Sequence, residues 1–274
     1  MNTEDYFIKH ISSKSRHIGD DGAAIKALVY SKDLFFENVH FRREWFSMYE
    51  IAVRSMMVNI SDAVAMNAKP VYALIGIAMP RSLSLSDMKE LTRGFVETAE
   101  KFGIEIIGGD TVANSKLDIS VTIVSQTKRP LLRKGLKQNH LVAYTGKLGK
   151  SAKELRYLLS GGNLHVNSKF NKIVLQDKFI ESATASLSSG MDISDGLFSD
   201  LGKLSKINRL GFNFLATIPK KFACSGEEYE MLITFSPRNR KKMVRLAQSS
   251  RVELTIIAIS KRGRFKNRCK LHHF

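Results

Sequence analysis

Apolar residues along this chain follow two alternating periods, and the switches between them predict its elements. Val29 to Phe36 is a β-branched and aromatic run that predicts a strand carrying Asp33. From Ser47 to Ala68, the residues Ile51, Met56, Ile60 and Val64 recur near helical spacing, so a helix is expected. Val71 to Met79 predicts a second strand, stopped by Pro80. Ser86 is placed to N-cap a helix with Leu91, Phe95, Ala99 and Phe102 on its apolar face, and Gly103 marks its C-terminal stop. Ile104 to Ile107 reads as a short buried strand ended by Gly108-Gly109. Leu117, Ile119, Val121 and Ile123 then alternate as in a half-buried strand.

A basic, polar stretch from Lys128 to Asn139 breaks the pattern and predicts a domain boundary. It divides the chain into 1–136 and 137–274. Beyond it, Leu141 to Tyr144 resumes a strand and Lys150 to Leu159 a helix. Gly161 to Lys172 reads as loop and Ile173 to Ala183 as helix. Asp195 to Ile207 is amphipathic, with Leu197, Leu201 and Leu204 on one face. Met231 to Phe235 and Leu254 to Ile259 are strands around a basic helix, Pro237 to Ala247. Strands and helices mix in both halves, so the expected fold class is α+β in two domains.

Composition supports folded cores. Of 274 residues, 43% are hydrophobic and only five are proline, which argues against disorder. No apolar run approaches the ~20 residues that span a bilayer. Met1 to Asp5 is polar and acidic, unlike a signal peptide, so a soluble cytoplasmic protein is expected. Cys224 and Cys269 have no CxxC spacing and are expected as reduced thiols. The formal charge is +17, but the cations are spread along the chain, dense only from Lys261 to Lys270. With no nucleic-acid-binding motif, general basicity or steering of anionic substrates accounts for the charge.

Against that basic background the placement of acids stands out. Four segments, Ile18-Gly19-Asp20-Asp21-Gly22, Asn59-Ile60-Ser61-Asp62, Gly108-Gly109-Asp110-Thr111 and Asp192-Ile193-Ser194-Asp195-Gly196-Leu197, hold six of the twelve aspartates. Each sits beside glycine or apolar residues, where an unpaired carboxylate is costly to desolvate. Hard oxygen donors converging on one place suit Mg²⁺. Asp192 and Asp195 are spaced i, i+3 at a helix start, although either Asp192 or Ser194 could simply cap that helix. Gly108-Gly109-Asp110 could be an ordinary turn. His40 could face a substrate or be structural, and Arg133 and Lys134 could meet phosphate or be solvated. There is no GxxxxGK[ST] loop and no kinase catalytic-loop signature.

Six stretches, in order, resemble the thiamine-monophosphate kinase family, part of a superfamily with aminoimidazole ribonucleotide synthetase and selenophosphate synthetase. They are Ile18–Asp21, Ser31–Phe41, Val58–Pro70, Ile107–Thr111, Met191–Leu197 and Ser225–Leu232. The resemblance implies a two-domain PurM-like α+β architecture, with N-terminal strands forming a homodimer interface. It implies ATP-dependent phosphorylation of thiamine monophosphate by direct in-line transfer, with several Mg²⁺ ions and no covalent nucleophile. By position, Asp21, Ser31, Lys32 (through its backbone), Asp33, Asp62, Asp110, Asp192 and Asp195 match metal ligands. Gly109, Asp110, Arg133 and Ser194 match ATP contacts, and His40, Glu227, Glu228 and Tyr229 match the substrate end. Neither nucleic acid nor membrane is an implied partner.

The chain departs from the family at Lys32, at Ser225 and Glu228, and in a shorter second half whose Leu271 to Phe274 only partly matches a closing aromatic segment. Another ATP-dependent synthetase of the superfamily, or an inactive nucleotide-binding protein, stands as the alternative function.

Overall fold

The computed structural model describes residues 3–12 and 15–269, so the segment from Leu271 to Phe274 and the start of the acidic N-terminus lie outside it. After a short helix, α1 (Thr3–Ile11), the first half is one sheet backed by two helices. Its strands are β1 (Ala23–Ile25), β2 (Leu28–Phe36), β3 (Lys69–Met79), β4 (Glu105–Ala113) and β5 (Asp118–Gln126), in the order β1-β2-β5-β3-β4. Only β3 and β4 pair in parallel, because a helix joins them as a crossover. That helix is α3 (Leu85–Phe102), and it lies beside α2 (Met48–Ala65).

Both helices begin with reciprocal caps. Ser47 and Glu50 form a capping box on α2. On α3 the cap is Ser84 with Asp87, not Ser86, since only Ser84 has an acid three residues on to reach back to its amide. Helix α2 is apolar nearly all round and occupies the middle of the molecule. One side meets β2 and β5, where Ile119, Val121 and Ile123 are fully buried, and the other meets the second half. Each of Ile51, Met56 and Ile60 contributes about 1.5–3 kcal/mol by burial.

The short buried strand expected at Ile104 to Ile107 is instead β4, nine residues long and exposed along its whole length. It is an edge strand, so among the described residues one of its backbone edges has no strand partner. The strand runs through Gly108-Gly109 without ending. A Cβ on Gly109 would collide with the Ile75 backbone of β3, so glycine here permits close strand pairing. Tyr30, Leu34, Tyr72, Leu74 and Ile106 are all exposed on this sheet.

The second half builds another five-stranded, wholly antiparallel sheet. Its strands are β6 (Leu141–Thr145), β7 (Leu187–Asp192), β8 (Leu210–Phe214), β9 (Met231–Phe235) and β10 (Leu254–Arg262), in the order β7-β9-β6-β10-β8. Helices α5 (Asp177–Ala183) and α8 (Arg240–Ser249) join a core with Phe235, while α6 (Leu197–Asn208) packs Leu197, Leu201 and Leu204 against Val142 and Leu232. Helix α4 (Lys150–Leu159) lies where expected, and α7 (Lys220–Ala223) is a single turn. Residues 173–176 stay outside α5, and Pro237–Asn239 forms a separate 3₁₀ turn before α8.

The two cysteines are a further correction. Cys224 and Cys269 form a disulfide, with Cα atoms 5.5 Å apart. Phe265 packs on Phe198, Phe212 and Phe214, which turns the C-terminal segment back across α6 and brings Cys269 to Cys224. Among the described residues, no helix is long and apolar enough to cross a membrane.

Candidate active site

Three separate elements deliver acids to one place. Asp21 lies in the turn before β1, Asp62 in the last turns of α2 and Asp192 at the end of β7. One carboxylate oxygen from each lies within 4.8 Å of the others. The contact between α2 and β7 creates this meeting. Neighbouring polar residues fix the frame. Ser61 Oγ donates to Asp192 Oδ2 at 2.8 Å, Ser31 Oγ donates to Asn59 Oδ1 at 2.5 Å, and Asn59 Nδ2 donates to the Val121 carbonyl at 2.5 Å.

Burial and mutual repulsion oppose ionisation throughout the cluster. Asp62 is raised well above the usual carboxylate range by burial, then by Asp33, Asp192 and Asp21. Asp192 is likewise raised by burial and then by Asp21, and Asp33 is pushed up to about 6 by burial and then by Asp21. Asp21 is also raised, chiefly by burial, despite its ion pair with Arg133. Arg133 donates to Asp21 from Nε at 3.0 Å and from Nη2, and its amide donates to Asp20 Oδ1 at 2.7 Å. Burial works against the Arg133 charge, but Asp21 and then Asp192 and Asp200 leave its pKa raised.

A divalent cation fits these residues. Asp21 Oδ2 is buried with no hydrogen-bond partner, and three hard carboxylates share its surroundings. Strand parity settles Lys32. Ser31 and Asp33 face α2, whereas the Lys32 ammonium donates across the opposite face of the sheet to Ser120 Oγ at 2.6 Å and Thr122 Oγ1 at 3.3 Å. Only the Lys32 backbone is left to serve the site.

Other expected residues are placed elsewhere. Asp195 does not join Asp192, because β7 ends at Asp192 and α6 starts only at Leu197, so the two acids are not on one helical turn. A Cβ on Gly196, where φ is 97°, would press on the Cys224–Ser225 backbone. Asp195 instead pairs with Lys203 at 2.6 Å, and Lys203 also pairs with the fully buried Asp200 at 2.9 Å. Asp110 and Gly109 stand on exposed β4, three strands from β2, with Asp110 Oδ1 accepting from the Thr111 amide. His40 lies in the turn beyond β2, where its Nδ1 accepts from the Phe36 amide at 3.0 Å and its ring packs on Phe35.

The Ser225–Glu230 segment runs against the cluster. The amides of Glu227 and Tyr229 donate to Ser194 and Ile193 carbonyls at 2.7 and 2.9 Å. The Tyr229 hydroxyl is raised well above its usual range by burial and then by Glu227, with Asp33 and Asp192 adding to it. Glu227 reaches Arg54 at 2.6 Å. Glu228 turns inward, accepting from the Gly149 amide at 2.6 Å and Ser225 Oγ at 2.5 Å, with Lys169 at 3.0 Å.

Arg54, Lys169, Asp200 and Lys203 were missed by sequence reasoning. Asp200 had a signal: an acid between Leu197 and Leu201 on an apolar helix face. Burial pushes it up to about 6, against the pull of Lys203.

Residues 19–127 match the family model described as AIR synthase related protein, N-terminal domain. Over 271 residues the chain is 32% identical to the thiamine-monophosphate kinase of Buchnera aphidicola subsp. Schizaphis graminum, covering 86% of this chain and 83% of that protein. The chain belongs to the thiamine-monophosphate kinase family. The kinase of this name from Nitrosopumilus maritimus is 30% identical over 234 residues, covering 78% of this chain and 76% of the relative. The fold matches as well. A solved structure described as AaThiL complexed with AMPPCP and TMP superposes with a TM-score of 0.85 at 23% identity, covering 100% of this chain and 96% of that one.

Proposed function

We propose that this chain transfers the γ-phosphoryl group of ATP to the phosphate of thiamine monophosphate, giving thiamine diphosphate and ADP. The observation that carries the reading is the convergence of Asp21, Asp62 and Asp192, with one orphaned carboxylate oxygen, in a chain of this family. Asp21, Asp33, Asp62 and Asp192, with the Ser31–Lys32 backbone, are the residues that would hold Mg²⁺ here. Mg²⁺ held there would supply charge neutralisation for the phosphates of an in-line displacement.

The protein's own part is positioning. The acceptor is already an anionic phosphate oxygen, so no side chain need remove a proton or form a covalent intermediate. Arg133, fixed by Asp21 and Asp20, presents a guanidinium beside the cluster for the nucleotide phosphates. Ser194 and Asp195 lie in the turn between β7 and α6, and Lys203 compensates the Asp195 charge there. Glu227 and Tyr229 form the acceptor end, while the inward-turned Glu228 ties that segment to Gly149, Ser225 and Lys169.

Gly109 and Asp110 are assigned to a second copy. The exposed apolar sheet and the unpaired β4 edge suit a homodimer, in which β4 of one chain serves the site of the other. Residues 1–136 and 137–274 are read as the two domains. A cytoplasmic setting fits enzymes that draw on ATP and Mg²⁺.

The deciding experiment incubates the purified protein with ATP, Mg²⁺ and thiamine monophosphate, with free thiamine and an EDTA sample in parallel, and follows products by mass spectrometry. Thiamine diphosphate and ADP formed from the monophosphate, and only with Mg²⁺, support the kinase. ADP without thiamine diphosphate removes the acceptor assignment, and no nucleotide turnover removes the reading altogether.

A further inference from the structure

Arg54 sits in the middle of α2 and is 2% exposed. Its guanidinium lies 4.4 Å from the Phe170 ring centroid and 5.8 Å from that of Phe46, and the two rings stack on each other. Nη1 donates to the Phe170 carbonyl and Nη2 donates to Glu227 Oε2 at 2.6 Å, while Nε has no partner. A buried arginine–glutamate pair is a poor way to gain stability, because desolvating both charges offsets their attraction. Its geometric effect is the better explanation.

That effect falls on a backbone that needs holding. Glu227 and Tyr229 have φ of 55° and 51°, the left-handed region that residues with a side chain rarely adopt. Such conformations persist where surroundings over-determine them. Here the two amides bond to Ser194 and Ile193, and the Glu227 carboxylate is gripped from α2. Lys169, the residue next to Phe170, pairs with Glu228 at 3.0 Å and Glu230 at 2.9 Å. Arg54 stands two turns before Asp62 on the same helix, so one rigid element spaces the acid segment from the carboxylate cluster.

We propose that Arg54 is a positioning residue for the acceptor end of the site, acting through Glu227 to hold the left-handed 227–229 backbone at a set distance from the cluster. This assignment rests on the phosphoryl-transfer reading above. Arginine is needed because its planar fork makes two directed bonds at once, which a lysine ammonium on a flexible stem does not reproduce.

The test compares wild-type protein with Arg54→Lys, Arg54→Met, Glu227→Gln and the Arg54→Lys/Glu227→Gln double variant. Melting temperature, separate KM values for thiamine monophosphate and ATP, and amide hydrogen exchange across 225–231 are measured on the full chain. Arg54→Lys should raise the KM for thiamine monophosphate about tenfold to a hundredfold, the worth of a charge-assisted hydrogen bond. The KM for ATP should stay within about twofold. Exchange at the Glu227 and Tyr229 amides should quicken while that of α2 does not. The double variant should bind the acceptor no worse than Glu227→Gln alone, since Arg54 acts through that carboxylate.

Unchanged exchange and acceptor KM in a folded Arg54→Lys protein would overturn the proposal. So would additive losses in the double variant, or equal rises in both KM values. If Arg54→Met fails to fold, the lysine and glutamine variants still decide. If the wild type phosphorylates no thiamine monophosphate, the acceptor assignment falls, and the exchange comparison alone decides whether Arg54 holds the segment.

Discussion

Replacing Asp33 by Asn should stabilise the metal-free protein while weakening its response to Mg²⁺. The Asp33 carboxyl is pushed from 3.8 to about 6 by burial and then by Asp21. Because the folded state holds this proton more tightly than the unfolded chain, the linked stability is fully present below about pH 4 and is lost as pH rises towards 6. At about 1.4 kcal/mol per pH unit, the ionised Asp33 costs the metal-free fold about 3 kcal/mol at pH 8. Asparagine keeps the shape and removes that charge. In a chain of this length the gain corresponds to a rise of about 6–12 °C in Tm, less whatever hydrogen bonding the amide loses.

The assay is thermal unfolding in EDTA and in excess Mg²⁺ from pH 4 to 8. Wild type should lose stability with rising pH in EDTA and recover it with Mg²⁺, since a bound cation reverses the sign of the local field. Asp33→Asn should show a flatter pH profile and a smaller Mg²⁺ increment. An Asp33→Asn protein that is less stable than wild type in EDTA at pH 8, or that gains as much from Mg²⁺, would refute the repulsive-cluster argument.

Three further outcomes are expected. Asp62→Asn should abolish Mg²⁺-dependent turnover, by about a thousandfold or more, with circular dichroism unchanged; full activity would remove Asp62 from the metal site. Ile106→Glu, on the exposed edge strand β4, should shift a dimer to monomer in analytical ultracentrifugation, and an unaltered sedimentation coefficient would place the interface elsewhere. Reducing the Cys224–Cys269 disulfide, which closes a separation of 45 residues, should lower stability by about 4 kcal/mol on the chain-entropy model. Denaturant unfolding with and without reductant measures that difference, and equal midpoints would show that packing of the tail on α6 suffices.

What the sequence determined by itself is local or ordered along the chain. The alternating apolar residues from Leu117 to Ile123 read as a half-buried strand, and the Ser47–Ala68 stretch as a helix, which the structure forms over Met48–Ala65. Six motifs in order identified the family, because each is a short segment whose chemistry survives without knowing its neighbours. Tertiary structure decided everything that depends on which segments meet. Asp192 and Asp195 are three residues apart, yet one joins Asp21 and Asp62 while the other pairs with Lys203, because β7 ends at Asp192 and Asp195 lies in the non-helical stretch before α6. Strand parity, not residue type, sent the Lys32 ammonium away from the site. The edge position of β4 exposed a segment whose composition reads as buried. Nothing in the spacing of Cys224 and Cys269, or of Arg54 and Glu227, announces that they touch. Such pairs are set by how two sheets pack around α2, and the energy of that packing is shared among many residues far apart in the chain.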